Sequence, residues 1–204
     1  MLVVAKEPLP GRVKTRLVPP LSHAEAAELA AAALADSLRA ASRVPARQRV
    51  VVLDGTPGAW LPPDWACTAQ STGGLDVRLA AAFAHATGPA LLIGMDTPQL
   101  HAEQLTVFDP DRYDACLGLA EDGGYWAIGF ADPTHASSVI NGVPMSTAHT
   151  GAAQLRRLRA KKLRVQLLDT LEDVDTFDAA LRVASANPVG EFAHAVRGFA
   201  GAAA

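Results

Sequence analysis

Residues 2–17 read LVVAKEPLPGRVKTRL. The apolar run Leu2-Val3-Val4-Ala5 predicts a buried strand at the start of an α/β sheet. Pro8, Pro10 and Gly11 then exclude a helix and predict a shaped loop. That loop carries Lys6, Arg12, Lys14 and Arg16. A basic loop is often no more than a solvated surface. Here it leaves the carboxyl end of a strand, where open α/β sheets bind their ligands. Strand, Gly- and Pro-shaped loop, then helix is a phosphate-holding arrangement. Ammonium and guanidinium groups both suit phosphate oxygens. The spacing is neither GxxxxGK[ST] nor GxGxxG.

The composition narrows the class. The chain has 204 residues, half of them hydrophobic, with a net charge of −3. That length suits one domain, spanning 1–204, with a full core. The mild negative charge argues against a general nucleic-acid binder, so the basic loop is a local feature. Cys67 and Cys116 stand far apart without a CxxC pattern and read as reduced core residues. No cationic segment followed by a long apolar run opens the chain, and no run reaches membrane-spanning length. The expectation is a cytoplasmic protein with no membrane partner.

Strand and helix signals alternate down the chain. Ser22, with Glu25 three residues on, predicts a capping box for a helix from His23 to about Ala41, with Leu29, Leu34 and Leu38 buried. Residues 49–53 and 67–69 predict strands, and Gly73-Gly74 precedes a helix from Leu75 to about Thr87. Residues 89–94, PALLIG, predict a central strand covered on both faces. It delivers Asp96, which either caps a helix begun by Pro98 or faces a ligand. Residues 114–120 and 126–130 predict two strands joined by Asp122-Gly123-Gly124, which needs a tight turn. A basic helix over 150–162, a strand over 163–168 and a helix over 177–186 follow. An Ala- and Gly-rich tail closes the chain from about Pro188. Asp173 and Asp175 alternate on an extended segment and so share a face. Two such carboxylates can hold a hard cation beside phosphate oxygens. Either Thr170 or Asp175 could instead cap the last helix.

AKEPLPGRVKTRL resembles the opening signature of a family of small bacterial GT-A-type transferases, glycosyltransferase-like or nucleotidyltransferase-like (DUF2064-like). The likeness recurs along nearly the whole chain. GMDTPQL (94–100) resembles G-[TS]-D-x-P-x-L, and LAEDGGYWAIG (119–129) resembles P-x-x-DGGY-x-L-I-G, with Leu119 for the proline. GVPMST (142–147) resembles Gly-[IV]-Pro-Trp-Ser-Thr with Met145 for Trp, and DVDT (173–176) resembles the last signature. Residues 70–83 resemble a Q..GDLG.R..AF block, with Gly74 at the acidic position and Asp76 at the second glycine, so the acid has either moved or been lost.

The resemblance implies a GT-A-like three-layer α/β/α fold with a mostly parallel sheet. With the residue reading, it assigns phosphate binding to Lys6, Gly11, Arg12, Lys14, Arg16 and Gly73. It assigns substrate contact to Gly123, Gly124, Tyr125, Ser146 and Thr147. Lys14, Asp96 and Asp122 become catalytic candidates, and Asp96, Asp173 and Asp175 candidate ligands of Mg²⁺ or Mn²⁺. No GxSxG, HExxH or Cys-His pattern offers a covalent nucleophile, so catalysis would be positioning and charge neutralisation. Three readings follow: nucleotidyl transfer from an NTP to a small phosphorylated acceptor, glycosyl transfer from an NDP-sugar, or nucleotide binding without catalysis. Four loop cations favour the first, because a triphosphate carries more charge than a diphosphate.

Overall fold

The computed structural model describes residues 1–202. Seven strands form one sheet: β1 (Leu2–Lys6), β2 (Val50–Asp54), β3 (Ala66–Ala69), β4 (Ala90–Ile93), β5 (Ala115–Ala120), β6 (Tyr125–Phe130) and β7 (Val165–Leu171). Their spatial order is β3-β2-β1-β4-β6-β5-β7. The pairs β1–β2, β1–β4, β2–β3 and β5–β7 are parallel, and β6 runs antiparallel to both neighbours. The sheet is therefore mostly parallel. From β1 the chain winds outward to β3, then returns to β4 on the other side, which makes the β1/β4 boundary a topological switch point.

Alternation along the strands sends side chains to two cores. Val3, Val51, Leu53 and Ile93 meet Leu34 and Leu38 of α1 (His23–Ser42). Leu2, Val50, Val52 and Leu92 meet Leu79 of α2 (Leu75–Ala82). That second face continues onto α4 (Ala136–Ile140), through Ile140, and α5 (Thr150–Ala160), through Leu158. A short helix, α3 (Ala102–Leu105), joins the first face through Leu105. These are the expected three layers.

The Ser22–Glu25 capping box is present, and Leu29, Leu34 and Leu38 are buried. Three segments differ from expectation, the first being α2, which ends at Ala82 short of Thr87 as the chain tightens into a 3-10 turn over Phe83–His85. The strand expected to end at Leu168 continues to Leu171, because β5 supplies paired backbone groups beyond that point. The tail is a helix, α7 (Glu191–Ala202), which packs with α6 (Phe177–Ala186) on the outer side of α1. Its Phe192, Ala193 and Val196 form a buried stripe that the surrounding Ala and Gly conceal.

Asp36 of α1 explains why α7 begins where it does. Its carboxylate is 2% exposed and accepts from the amides of Glu191 and Phe192 at 3.0 and 2.9 Å. It thus caps a helix 155 residues away, with Arg39 as counter-ion. Asp36→Ala leaves those amides without an acceptor and should cost about 3 kcal/mol. Urea unfolding of the two proteins measures this; an unchanged midpoint would remove the cap from the account.

Candidate functional site

The topology brings four loops to one edge of the sheet. β1, β4, β5 and β7 all end there, and antiparallel β6 starts there, with Gly94 N–H bonded to Trp126 O at 3.1 Å. The basic loop after β1 is anchored by apolar Val13 and Leu17, both buried. Glu7 ties it to the loop after β2 by accepting from Thr56 N–H at 2.9 Å. Between the anchors, Lys14 adopts a left-handed backbone with φ 48°, uncommon for a residue with a side chain and frequent at functional sites.

That conformation directs the Lys14 side chain inward, where only 8% of it is exposed. Its ammonium meets Asp96 Oδ1 at 2.8 Å and donates to Val174 O at 2.5 Å. Asp96 is not a helix cap, because α3 starts at Ala102 with His101 as its N-cap. The backbone closes the same junction, Val174 N–H donating to Asp96 O at 3.3 Å. A lysine has three donors. Asp96 and Val174 take two of them.

A cleft of about 510 Å³ opens at the switch point. Lys6, Arg12, Lys14 and Arg16 line it, as does Arg78 of α2, whose position the loop pattern could not reveal. Gln70 orients Arg78 by accepting from it at 2.8 Å, while Asp54 lies 3.8 Å from Arg78 and 3.6 Å from Arg12. The Arg78 Nε is buried without a partner. Gly11 and Gly73 do not line the cleft; both take positive φ and shape the turns beside it. Asp76 is a tether, accepting from Gly142 N–H at 2.7 Å, which holds its carboxyl below the usual range.

A smaller cavity of about 190 Å³ adjoins the cleft and shares Asp96, Tyr125, Trp126 and Ser146 with it. Asp122 and Gly124 of the Asp122-Gly123-Gly124 turn line it, whereas Gly123, expected to contact substrate, does not. Gly123 has φ 90°, and a β-carbon there would lie 2.0 Å from Ala148 O, so the turn presses against the 146–150 loop. Gly124 N–H donates to Asp122 Oδ1 at 2.6 Å. Tyr125, Ser146 and Thr147 also line this cavity.

Asp122, Asp173 and Asp175 each offer a carboxylate oxygen within 4.8 Å of the others. The sequence grouped Asp96 with Asp173 and Asp175; in the fold Asp122 completes the trio, and Asp96 stands next to it on Lys14. Thr176 caps α6, accepting from Ala179 N–H at 3.2 Å, which leaves Asp175 to Arg16. Asp122 and Asp173 have no basic ion-pair partner among the described residues. Burial, with the charges of Asp122 and Asp175, pushes the Asp173 carboxyl up to about 6, against the pull of its own amide and of Lys14. All-oxygen donors in mutual repulsion fit a hard divalent cation. Asp122, Asp173 and Asp175 would hold it.

Two outcomes follow from this geometry. Lys14→Ala should weaken nucleotide binding by about 1.5–3 kcal/mol, the scale of a charge-assisted hydrogen bond. Calorimetry measures this, and equal affinity in the folded variant would exclude the contact. The second concerns pH. A carboxyl with a folded-state value near 6, above its unfolded value, contributes stability that is full below about pH 4 and lost as pH rises through 6. Asp173 is partly exposed, so solvent screening holds the effect to about 1 kcal/mol. In EDTA, Asp173→Asn should therefore gain stability over wild type as pH rises from 4 to 7. Melting curves that stay parallel across that range would show no such strain.

The comparisons agree with this fold. A candidate nucleotide-diphospho-sugar transferase from Desulfovibrio desulfuricans G20 superposes with a TM-score of 0.85 at 28% identity, covering 96% of this chain and 92% of that one. The homolog of Mycobacterium tuberculosis rv0371c from Mycobacterium sp. strain JC1 shares the fold at TM-score 0.56 and 15% identity, over 92% and 97% of the two chains. The 2-C-methyl-D-erythritol 4-phosphate cytidylyltransferase of Thermus thermophilus does so at 0.50 and 16%, over 92% and 98%. No curated protein matches the sequence. Residues 24–147 match the model of a family described as "Uncharacterized protein conserved in bacteria (DUF2064)", a span holding Asp96, the Asp122-Gly123-Gly124 turn and Ser146-Thr147. The chain belongs to the DUF2064 family.

Proposed function

We propose that this protein is a metal-dependent nucleotidyltransferase that moves a nucleotidyl group from an NTP to a small phosphorylated acceptor. The observation that carries the reading is the segregation of charge: five cationic side chains line one cleft, and three carboxylates gather beside it. A triphosphate suits the cationic part, and the net charge of −3 disfavours nucleic acid. The free thiols Cys67 and Cys116 suit a reducing cytoplasm. One domain, 1–204, would carry the whole site.

In the reaction, an acceptor phosphate oxygen forms a bond to the α-phosphorus. The bond from that phosphorus to the oxygen bridging the β-phosphorus breaks, and pyrophosphate leaves with the electron pair. Lys14 offers its third N–H to the α-phosphate oxygens, and Asp96 holds Lys14 in that position. Arg12, Arg16 and Lys6 take the charge of the departing pyrophosphate, with Arg78 deeper in the cleft. The flanking Asp122-Gly123-Gly124 turn and Ser146-Thr147 position the acceptor. Mg²⁺ or Mn²⁺ on Asp122, Asp173 and Asp175 would neutralise phosphate charge when bound. The phosphorylated acceptor is already ionised, so no residue needs to act as a general base.

A second reading, glycosyl transfer from an NDP-sugar, is favoured by the Desulfovibrio protein named as a candidate nucleotide-diphospho-sugar transferase. Pyrophosphate release across the four NTPs, set beside NDP release from NDP-sugars, separates the two. Nucleotidyl transfer predicts pyrophosphate alone, lost in EDTA. Asp175→Asn keeps shape but removes charge, and Thr176 still caps α6. That variant should fold, melt near wild type and lose most turnover at limiting Mg²⁺. Full turnover of Asp175→Asn there would take Asp175 out of the metal site; nucleotide binding with no turnover would leave a binding protein.

A further inference from the structure

Asp54, the last residue of β2, does not line the cationic cleft, but it lies between two residues that do. Its Oδ1 stands 3.6 Å from Arg12 Nη2, and its Oδ2 stands 3.8 Å from Arg78 Nη1. Both distances are too long for hydrogen bonds. One carboxylate thus spaces two guanidiniums about an oxyanion's width apart, saturates neither, and leaves one positive charge over. Arg78 is fixed a second way. The backbone N–H of Gln70 donates to Leu53 O at 2.9 Å, and its side-chain Nε2 donates to Ala5 O at 2.8 Å and Val52 O at 3.2 Å. Carbonyls only accept, so the amide oxygen has one direction left, toward Arg78 Nη1 at 2.8 Å. Gln70 thereby seats Arg78 on the ends of β1 and β2. A neutral amide orients a guanidinium without cancelling its charge. Arg78 Nη2 bonds to none of the described residues and, unlike Nε, is not shut off from the cleft.

We propose that Arg12 and Arg78 act as one clamp for a free terminal phosphate, with Asp54 as their spacer and Gln70 as the positioning residue of Arg78. The proposal rests on the nucleotidyl-transfer reading and assigns one end of its donor: the terminal phosphate of an NTP meets both guanidiniums, while Lys14 serves the α-phosphate. A terminal phosphate presents three unesterified oxygens, enough for two guanidinium forks at once. Each phosphate of an NDP-sugar is linked on two sides, presents two such oxygens and carries a single charge, so it engages the clamp less. Asp54 keeps the two cations from repelling each other while no anion is present. It holds them beyond hydrogen-bond distance, so neither guanidinium has to break a strong bond before it turns to a phosphate. A carboxylate in place of Gln70 would orient Arg78 equally well but would neutralise it, and the clamp would then carry no net positive charge.

The test is calorimetric and uses the full chain at fixed Mg²⁺. The probe is inorganic tripolyphosphate, which has free terminal phosphates and no base. Arg12→Met and Arg78→Met should each weaken its binding at least tenfold. The double variant should fall less than threefold below the weaker single, because half a clamp holds little. Gln70→Met should cost at least fivefold in the wild-type background and less than twofold in the Arg78→Met background. A residue that merely braced the strands would cost the same in both. Gln70→Glu keeps an oxygen facing Arg78, adds a charge, and should also bind at least fivefold more weakly, with folding checked by its melting curve. For the NTP that binds tightest, Arg78→Met should cost at least tenfold, and for the NDP-glucose of the same base less than threefold. Independent losses at Arg12 and Arg78, a Gln70→Met loss that survives without Arg78, wild-type affinity in Gln70→Glu, equal losses for NTP and NDP-glucose, or no binding of tripolyphosphate by wild type would each overturn the proposal. The nucleotidyl reading is judged separately, by pyrophosphate release from NTPs. Its absence with the coupling intact sinks that reading and leaves the clamp; release without the coupling does the reverse.

Discussion

A lysine ammonium shut almost completely away from water joins the three parts of this site. Lys14 belongs to the first loop, Asp96 follows the central strand, and Val174 lies near the end of the last strand, 160 residues away in the chain. A buried ammonium is expensive unless its donors are met. Asp96 and the Val174 carbonyl meet two of them, and in doing so fix the distance between the basic loop and the acidic segment. Removing Lys14 would therefore do two things at once. It would delete a cation from the cleft, and it would release Asp96 and residues 173–175 from a shared anchor.

Around that junction the charges form two clusters joined by ion pairs. Arg12, Arg16 and Lys6 lie on one side with Arg78, and Asp122, Asp173 and Asp175 lie on the other. Arg16 with Asp175 and Arg12 with Asp54 bridge the two signs, all in exposed or half-exposed positions where such pairs contribute little. The folded protein therefore keeps like charges close together without full compensation. The elevated carboxyl of Asp173 is the clearest sign of it. A phosphate-bearing ligand and a hard cation would each relieve one half of this imbalance, and their mutual attraction would join the halves.

Two residues with side chains hold left-handed backbones beside the site, Lys14 and Ser146. Both line the cationic cleft, and Ser146 also lines the smaller cavity. Such conformations persist only where the surrounding packing over-determines them. Val13 and Leu17 do this for Lys14 through their burial on either side of it. For Ser146, the neighbouring Ala148 presses against Gly123, which leaves no room for a β-carbon.

Much of this was legible in the sequence. The strand–loop–helix opening, the capped α1, the apolar β4 and the Asp122-Gly123-Gly124 turn all follow from local rules of periodicity, capping and turn chemistry. The alternation of those elements implied the covered, mostly parallel sheet, and the quoted signatures implied the family. What the sequence left open was long-range pairing. No local pattern told Asp96 that its partner is Lys14, gave the acidic trio Asp122, or placed Arg78 opposite the basic loop. The tail read as Ala- and Gly-rich chain because the carboxylate that caps its helix, Asp36, lies on α1. Local propensity acts over a few residues, so it determined the elements. Charge, burial and hydrogen-bond completion act across space, so only the tertiary structure decided which side chains meet.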